Sequence, residues 1–198
     1  MTRRGQFSIN NAGVRGLRPT LVFLPGTLCD ERLWAFQYAA LSAEWPCVNV
    51  DYRNERSVVD MASVAFASSA GMLVPIGLSM GGMVALEMWC RAPQRVAALA
   101  LFDTDAGADT ADRAKSRQQL LLQLEKGGAH AVSTTAREQL VPRYFASAAS
   151  AFPRAFEIAV DMAVTQGAAA YAAQHHALAT RQDRWAALPT IAVPTLIA

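Results

Sequence analysis

The chain has 198 residues, of which 53% are hydrophobic and 17% are charged. This length allows one domain with a sizeable core. A net charge of +2 gives no sign of a nucleic-acid partner, and no apolar run approaches the ~20 residues of a membrane span. Cys29, Cys47 and Cys90 show no metal-binding spacing and are typical of reduced thiols. We therefore expect a cytoplasmic protein without metal or other cofactor, and with neither nucleic acid nor membrane as a partner.

Residues 1–18 form a predicted mobile arm at the N-terminus. Four arginines in this segment suit a solvated arm: Arg3, Arg4, Arg15 and Arg18. The pair Arg3-Arg4 is similar to the start of a twin-arginine export signal. Because no apolar segment follows it, we do not expect export.

Two strands and two helices are predicted before residue 71. The continuous apolar run 21–24, closed by Pro25-Gly26, is typical of a strand buried on both faces. The run 47–50 predicts a second strand. Asp30 is a candidate N-cap for a helix over 31–43, and apolar residues at helical spacing predict another helix over 58–70.

Residues 77–81 read Gly-Leu-Ser-Met-Gly, a G-x-S-x-G motif between a predicted strand, 72–76, and a predicted helix, 81–91. A strand that turns sharply into a helix strains the corner residue, and small neighbours let the backbones approach each other. The Ser79 hydroxyl would then stand at the carboxyl edge of the sheet, with a positive φ. The Met80 amide would lie at a helix N-terminus, where the dipole favours a developing oxyanion. A Gly-Ser turn without chemistry is the alternative.

The rest of the chain divides into an insertion and a return to the sheet. A strand over 96–102 completes a run of βαβ units, which indicates a parallel sheet. From 106 to 186 no strand is convincing, and helical spacing predicts three helices: one that ends at Gly127-Gly128, one over 152–164 and one over 168–178. The run 191–197 resumes strand character.

The predicted fold class is α/β, with helices on both sides of a parallel sheet of about five strands. We expect the spatial order 47–50, 21–24, 72–76, 96–102 and 194–197. The predicted core comprises 19–105 and 187–198, and 106–186 are a helical insertion.

The chain resembles α/β-hydrolases of the small carboxylesterase and pimeloyl-carrier-protein methyl ester esterase type. The resemblance lies in four stretches: 21–30, which resembles the oxyanion strand and loop; 77–82, the nucleophile elbow; 93–104, the next helix-to-strand segment; and 181–184 with 191–197, the cap exit and a strand. It implies that Ser79 is the nucleophile, that 106–186 form a helical cap over the pocket of Ser79, and that the core over 19–105 and 187–198 is incomplete. It also implies that the amides of Thr27 and Met80 form the oxyanion hole, with Leu28 as the neighbouring candidate.

The chain departs from the family at its end. The family's acid lies just beyond the strand that ends at Ala198, and its histidine lies further on, so the resemblance implies a truncated enzyme with impaired catalysis. His175 and His176 are adjacent on a predicted helix, so at most one could face Ser79. Asp103 ends the strand next to that of Ser79 and is a candidate acid, although a turn-forming or capping role is the alternative.

Two functions remain open. The first is a serine hydrolase that acts on carboxylic esters or thioesters of small apolar acyl groups through an acyl-enzyme. The second is a non-catalytic remnant of a hydrolase that binds a small apolar ligand or a partner. Truncation would also leave an apolar face uncovered, which allows self-association through that face.

Overall fold

The structure is a computed structural model that describes residues 18–145 and 152–198, with the backbone alone over 123–130. Apart from Arg18, the predicted N-terminal arm lies outside the described residues. The side chain of His130 also lies outside them.

Five parallel strands form one sheet with the spatial order β2-β1-β3-β4-β5. This confirms the predicted fold class and the predicted strand order. The strands are β1 (Thr20–Leu24), β2 (Cys47–Asn49), β3 (Leu73–Leu78), β4 (Leu99–Phe102) and β5 (Thr195–Ile197).

The helices of the core cover the two faces of the sheet. They are α1 (Ala35–Leu41), which follows a helical turn over Glu31–Trp34, α2 (Val58–Ala67) and α3 (Met80–Arg91). The predicted helix over 58–70 is three residues too long, because Ser68 ends α2 by donating both its amide and its hydroxyl to the Ala65 carbonyl.

Alternate residues of β1 pack on opposite faces, as the two-residue period of a strand requires. Val22 and Leu24 join the core cluster under α2 and α3. Leu21 and Phe23 join a second cluster with Trp34, where the Phe23 and Trp34 ring centres are 5.7 Å apart. All five residues of β1 are buried, which explains why 21–24 are a continuous apolar run.

Two long helices occupy the insertion between β4 and β5: α4 (Ala111–Thr135) and α5 (Pro153–Ala179). We call residues 106–186 the cap. Short helical turns over Ala136–Leu140 and Val141–Tyr144 follow α4, and another over Trp185–Thr190 precedes β5. None of the described helices combines the length and the apolar character that crossing a bilayer requires.

The prediction that a helix ends at Gly127-Gly128 is wrong, because α4 continues through both glycines to Thr135. Each glycine costs about 1 kcal/mol relative to alanine inside a helix. Residues on either side of the pair, Leu121 and Val132, pack into the hydrophobic cluster of the cap. The packing of these two residues in the cap outweighs the preference of the glycine pair for a helix end.

The predicted pair of helices over 152–164 and 168–178 corresponds to α5. This helix is interrupted at Gly167, whose φ of 78° and ψ of 176° are not helical. Gly167 is one of the three residues that lie between the two predicted ranges.

Candidate active site

Ser79 stands at the corner where β3 becomes α3, with φ 52° and ψ −110°. This confirms the predicted positive φ, which a residue with a side chain adopts only when its surroundings enforce it. The Ser79 amide donates to the Phe102 carbonyl at 2.9 Å, and the Thr104 hydroxyl donates to the Ser79 carbonyl at 2.7 Å. Both bonds tie the corner to β4 and the residues that follow it.

The glycines of the motif are required by close backbone approach. A Cβ at Gly77 would lie 2.2 Å from the Gly81 carbonyl oxygen, and a Cβ at Gly81 would lie 2.1 Å from the Leu24 carbonyl oxygen. Side chains never approach backbone so closely, so larger residues would push the elbow apart. Because Gly77 and Gly81 have no side chains, the two ends of the elbow can pack closely against each other and against the end of β1.

The loop after β1 lies beside the elbow. The Thr27 hydroxyl lies 3.8 Å from the Met80 sulfur. Neither the Thr27 amide nor the Met80 amide donates a hydrogen bond to any residue that the structure describes. Met80 is the first residue of α3, so its amide is one of those that a helix leaves unpaired at its start.

Leu28 is held by the cap. Its φ is 59°, its side chain packs in the cap cluster, and its amide donates to the Gln174 side-chain oxygen at 2.8 Å. Gln174 is fully buried on α5. Because this bond occupies the Leu28 amide, Thr27 rather than Leu28 is the loop residue whose amide is free to bind an oxyanion.

A cavity of about 920 Å³ lies between the core and the cap. Its floor includes Thr27, Ser79 and Asp103, and residues of α4, α5 and the turn over Val141–Tyr144 form its roof. This confirms the prediction that Ser79 faces a pocket under residues 106–186.

The two adjacent histidines point to different surroundings. His175 lines the cavity and is buried, with its ring centre 3.9 Å from that of Tyr171. Burial lowers the pKa of His175 to about 3, so its imidazole is neutral at neutral pH. His176 is exposed, and its Nδ1 lies 2.9 Å from the Arg56 carbonyl oxygen. Of the two adjacent histidines, His175 lines the cavity that contains Ser79 and His176 does not. This agrees with the expectation that at most one of them could face Ser79.

Asp103 also lines the cavity, with φ 41°. Within 18–145 and 152–198 its carboxylate makes no hydrogen bond or ion pair, and the Ser79 hydroxyl has no hydrogen-bonded base. The structure thus brings Ser79, Asp103 and His175 to one cavity without joining them into a hydrogen-bonded triad.

No protein-family model and no curated protein matches the chain, but solved structures do. A thermophilic esterase from Thermogutta terrifontis matches with a TM-score of 0.78 and 23% identity, over 92% of this chain and 71% of that one. The enol-lactonase from Burkholderia xenovorans LB400 matches with a TM-score of 0.75 and 23% identity, over 93% and 74%. For MenH from S. aureus the values are 0.71 and 18%, over 92% and 75%.

This chain has the α/β-hydrolase fold. In the α/β-hydrolase fold the elbow carries the nucleophile at the top of the sheet, which is where Ser79 stands. At identities below 25% the likeness concerns the fold, and the site has to be argued from its own geometry.

Cys29 lines the same cavity as Ser79. Burial raises the pKa of the Cys29 thiol to about 12. Because a thiol must ionise to act as a nucleophile, Cys29 is inert at neutral pH. Across the described residues there is no group of three or more His, Cys, Asp or Glu side chains placed to hold a metal ion.

Sequence reasoning missed several polar residues of the cap that reach the site. Gln174 holds Leu28, and Tyr171, Arg117 and Arg143 line the cavity. On α5, the sequence indicated His175 and His176 as candidate functional residues. An isolated glutamine, tyrosine or arginine on an alanine-rich helix carries no signal of its own.

Proposed function

We propose that the protein is a serine hydrolase that cleaves carboxylic esters or thioesters of small apolar acyl groups through an acyl-enzyme. The observation that carries this proposal is the elbow. Ser79 is held at φ 52° between β3 and α3, it faces the cavity, and the free amide beside it belongs to the first residue of α3.

The proposed chemistry follows from these positions. The Ser79 oxygen attacks the carbonyl carbon of the ester, and its proton passes to a base. The carbonyl oxygen becomes an oxyanion, which the amides of Thr27 and Met80 stabilise. When the intermediate collapses, the alcohol or thiol leaves with a proton. Water then attacks the acyl-enzyme, releases the acid and restores the serine hydroxyl.

Turnover by this 198-residue chain is proposed to be impaired. A general base works best when its pKa lies near the operating pH. His175 is the histidine that lines the cavity among the described residues, and its pKa of about 3 makes it a weak base. The Ser79 hydroxyl therefore stays protonated, and its attack on an ester is slow.

Stopped-flow release of p-nitrophenol from p-nitrophenyl butyrate tests the proposal. We expect a slow burst with an amplitude of about one p-nitrophenol per chain, because p-nitrophenolate leaves easily during acylation, whereas hydrolysis of the acyl-enzyme needs a base and is slower still. Ser79→Ala should abolish the burst. Ser116→Ala is the matched control, because Ser116 lines the same cavity from α4 without an adjacent free amide, and it should keep the burst.

The second candidate function is a non-catalytic protein that binds a small apolar ligand. It is favoured by a cavity of about 920 Å³ whose nucleophile has no hydrogen-bonded base among the described residues. This candidate predicts no burst. It also predicts that Ser79→Ala and the original chain bind a fluorescent apolar probe with the same affinity. Under the first candidate function, an acyl group bound to Ser79 would compete with the probe in the original chain.

A further inference from the structure

A second cavity, of about 30 Å³, adjoins the loop after β1. Pro25 and Cys29 of that loop line it, and Cys29 also lines the cavity that contains Ser79. Gln174, which holds the Leu28 amide, lines the small cavity as well. The loop after β1 therefore borders both cavities.

Two side-chain oxygens in the lining of the small cavity are buried without a hydrogen bond to any residue that the structure describes. One is Asn49 Oδ1, at the end of β2 in the core, and the other is Gln166 Oε1, on α5 in the cap. Gln166 is only 8% exposed. Native proteins pair nearly all buried polar groups, because an unpaired one is costly. Both oxygens therefore call for a hydrogen-bond donor.

The carboxylates around the small cavity are either paired with arginine or exposed. Asp51 and Arg53 both line the cavity and form an ion pair at 2.7 Å. Asp30 also lines the cavity, and its carboxylate binds Arg32 at 2.6 Å. Glu31 is exposed. Because the guanidinium group of Arg53 would repel a metal ion, the lining favours a neutral hydrogen-bond donor.

Water fits this cavity in both size and chemistry. One water molecule needs about 10–15 Å³, so a cavity of about 30 Å³ holds one or two. Water has two protons, which match the unpaired oxygens of Asn49 and Gln166. The hydroxyl of Tyr52 lines the same cavity and donates its proton to the Pro25 carbonyl. Its oxygen can accept a hydrogen bond from a second water molecule.

We infer that one or two ordered water molecules bind in this cavity and bridge Asn49 of the core to Gln166 of the cap. The bridge lies one residue before the break in α5 at Gly167. It joins the cap to β2, whereas the bond between Gln174 and Leu28 joins the cap to the loop after β1. The inference goes beyond the proposed function, because the bridge does not depend on turnover.

A high-resolution crystal structure of the original chain tests the site directly. We expect density for at least one water molecule in the cavity, about 2.5–3.2 Å from the side-chain amides of both Asn49 and Gln166. An anomalous difference map after a rubidium soak distinguishes water from a monovalent cation. A crystal of the Gln166→Met chain should lack the water molecule that contacts both residues.

A double-mutant cycle tests the bridge in solution. Asn49→Leu and Gln166→Met each remove an acceptor with little change in size, and each should lower the equilibrium constant for folding several-fold, as measured by urea unfolding. The double variant should lower it by less than the product of the two factors, because the second substitution acts on a bridge that is already broken.

The sign of the single effects distinguishes the bridge from two unpaired oxygens. If no donor reached these oxygens, an apolar residue of the same size would relieve the cost of burying them and would stabilise the chain. Gln118→Met, at an exposed position of α4, is the control for the cycle. The effects of Gln118→Met and Asn49→Leu should multiply, because the pair shares no water molecule.

The inference is overturned if the cavity of the original chain contains no ordered water, or if it contains a cation. It is also overturned if either single variant is more stable than the original chain, or if the effects of Asn49→Leu and Gln166→Met multiply as those of the control pair do. The crystal structure of the original chain decides the question even if a variant fails to fold. None of these results depends on the p-nitrophenol burst, so a failure of the proposed function is seen separately.

Discussion

The absence of a side chain at Gly81 decides whether the elbow can form. A Cβ there would lie 2.1 Å from the Leu24 carbonyl oxygen, so Gly81→Ala must separate α3 from β1. We expect a loss of several kcal/mol in the free energy of unfolding, at the upper end of single-residue effects. Urea unfolding measures it. Gly71→Ala is the control, because a Cβ at Gly71 meets nothing within 4 Å, and equal losses in both variants would contradict this reading.

Gln174 couples the cap to the loop after β1. Its side-chain oxygen accepts from the Leu28 amide at 2.8 Å in a buried site. Gln174→Leu leaves that amide unpaired, which should lower the free energy of unfolding by about 1–3 kcal/mol and slow the p-nitrophenol burst. Gln118→Leu, at an exposed position of α4, should change neither quantity. A Gln174→Leu chain with unchanged stability and burst would show that the bond is dispensable.

His175 should make stability depend on pH. Burial lowers its pKa from 6.5 to about 3, so the folded state favours the neutral imidazole. The resulting stabilisation is complete above about pH 6.5 and is lost as the pH falls towards 3. The charged groups that act on His175 are Arg117, which lowers its pKa, and Asp109, which raises it.

The measurement is the free energy of unfolding at about pH 7 and about pH 4, in the original chain and in two variants. His175→Gln cannot titrate, so its loss between the two pH values should be smaller by a few kcal/mol. The exposed His176 supplies the control, because His176→Gln should keep the loss of the original chain. Identical losses in all three chains would refute the assignment.

At the scale of the element, the break in α5 depends on one residue. Gly167 has φ 78° and ψ 176°, a region that is essentially restricted to glycine. A Cβ there would meet nothing within 4 Å, so the penalty for Gly167→Ala comes from the backbone alone. We expect a destabilisation of about 1–3 kcal/mol, measured by thermal unfolding. A stabilised variant would indicate that α5 prefers to be continuous.

Some elements could be predicted from sequence because local and tertiary preferences agree. The apolar run of β1 reports burial on both faces, and Gly167 separates two apolar helical patterns. The end of α4 could not be predicted, because its Gly-Gly pair favours a stop while contacts of distant residues favour continuation. The corner position of Ser79 could be predicted, because close backbone approach requires the glycines two residues before and after it. The bond between Gln174 and Leu28 requires only that α5 lies over the loop after β1.

In the molecule as a whole, the candidate active site lies at the boundary between the core and the cap. The core supplies Ser79 and the free amides, and the cap supplies the roof and the bond that holds Leu28. An ion pair at 2.5 Å between Arg184 and the buried Glu87 fixes the cap exit to α3. Removing one partner of such a pair leaves a buried charge, so the position of the cap over Ser79 depends on this contact.

The edge of the sheet also concerns the whole molecule. β5 lies at the end of the strand order, and Leu196 and Ile197 are 56% and 77% exposed. An exposed apolar edge strand can pair with another chain. The self-association expected from the sequence stays a prediction.

Covalent labelling is the most direct test of whether Ser79 is the nucleophile that we propose. The chain is incubated with a fluorophosphonate, and intact mass with peptide mapping locates the adduct. We expect slow formation of one adduct per chain, on Ser79, which is absent in Ser79→Ala and retained in Ser116→Ala. If the chain stays unlabelled while a known serine hydrolase labels in the same tube, or if the adduct lies on another residue, the proposal is contradicted.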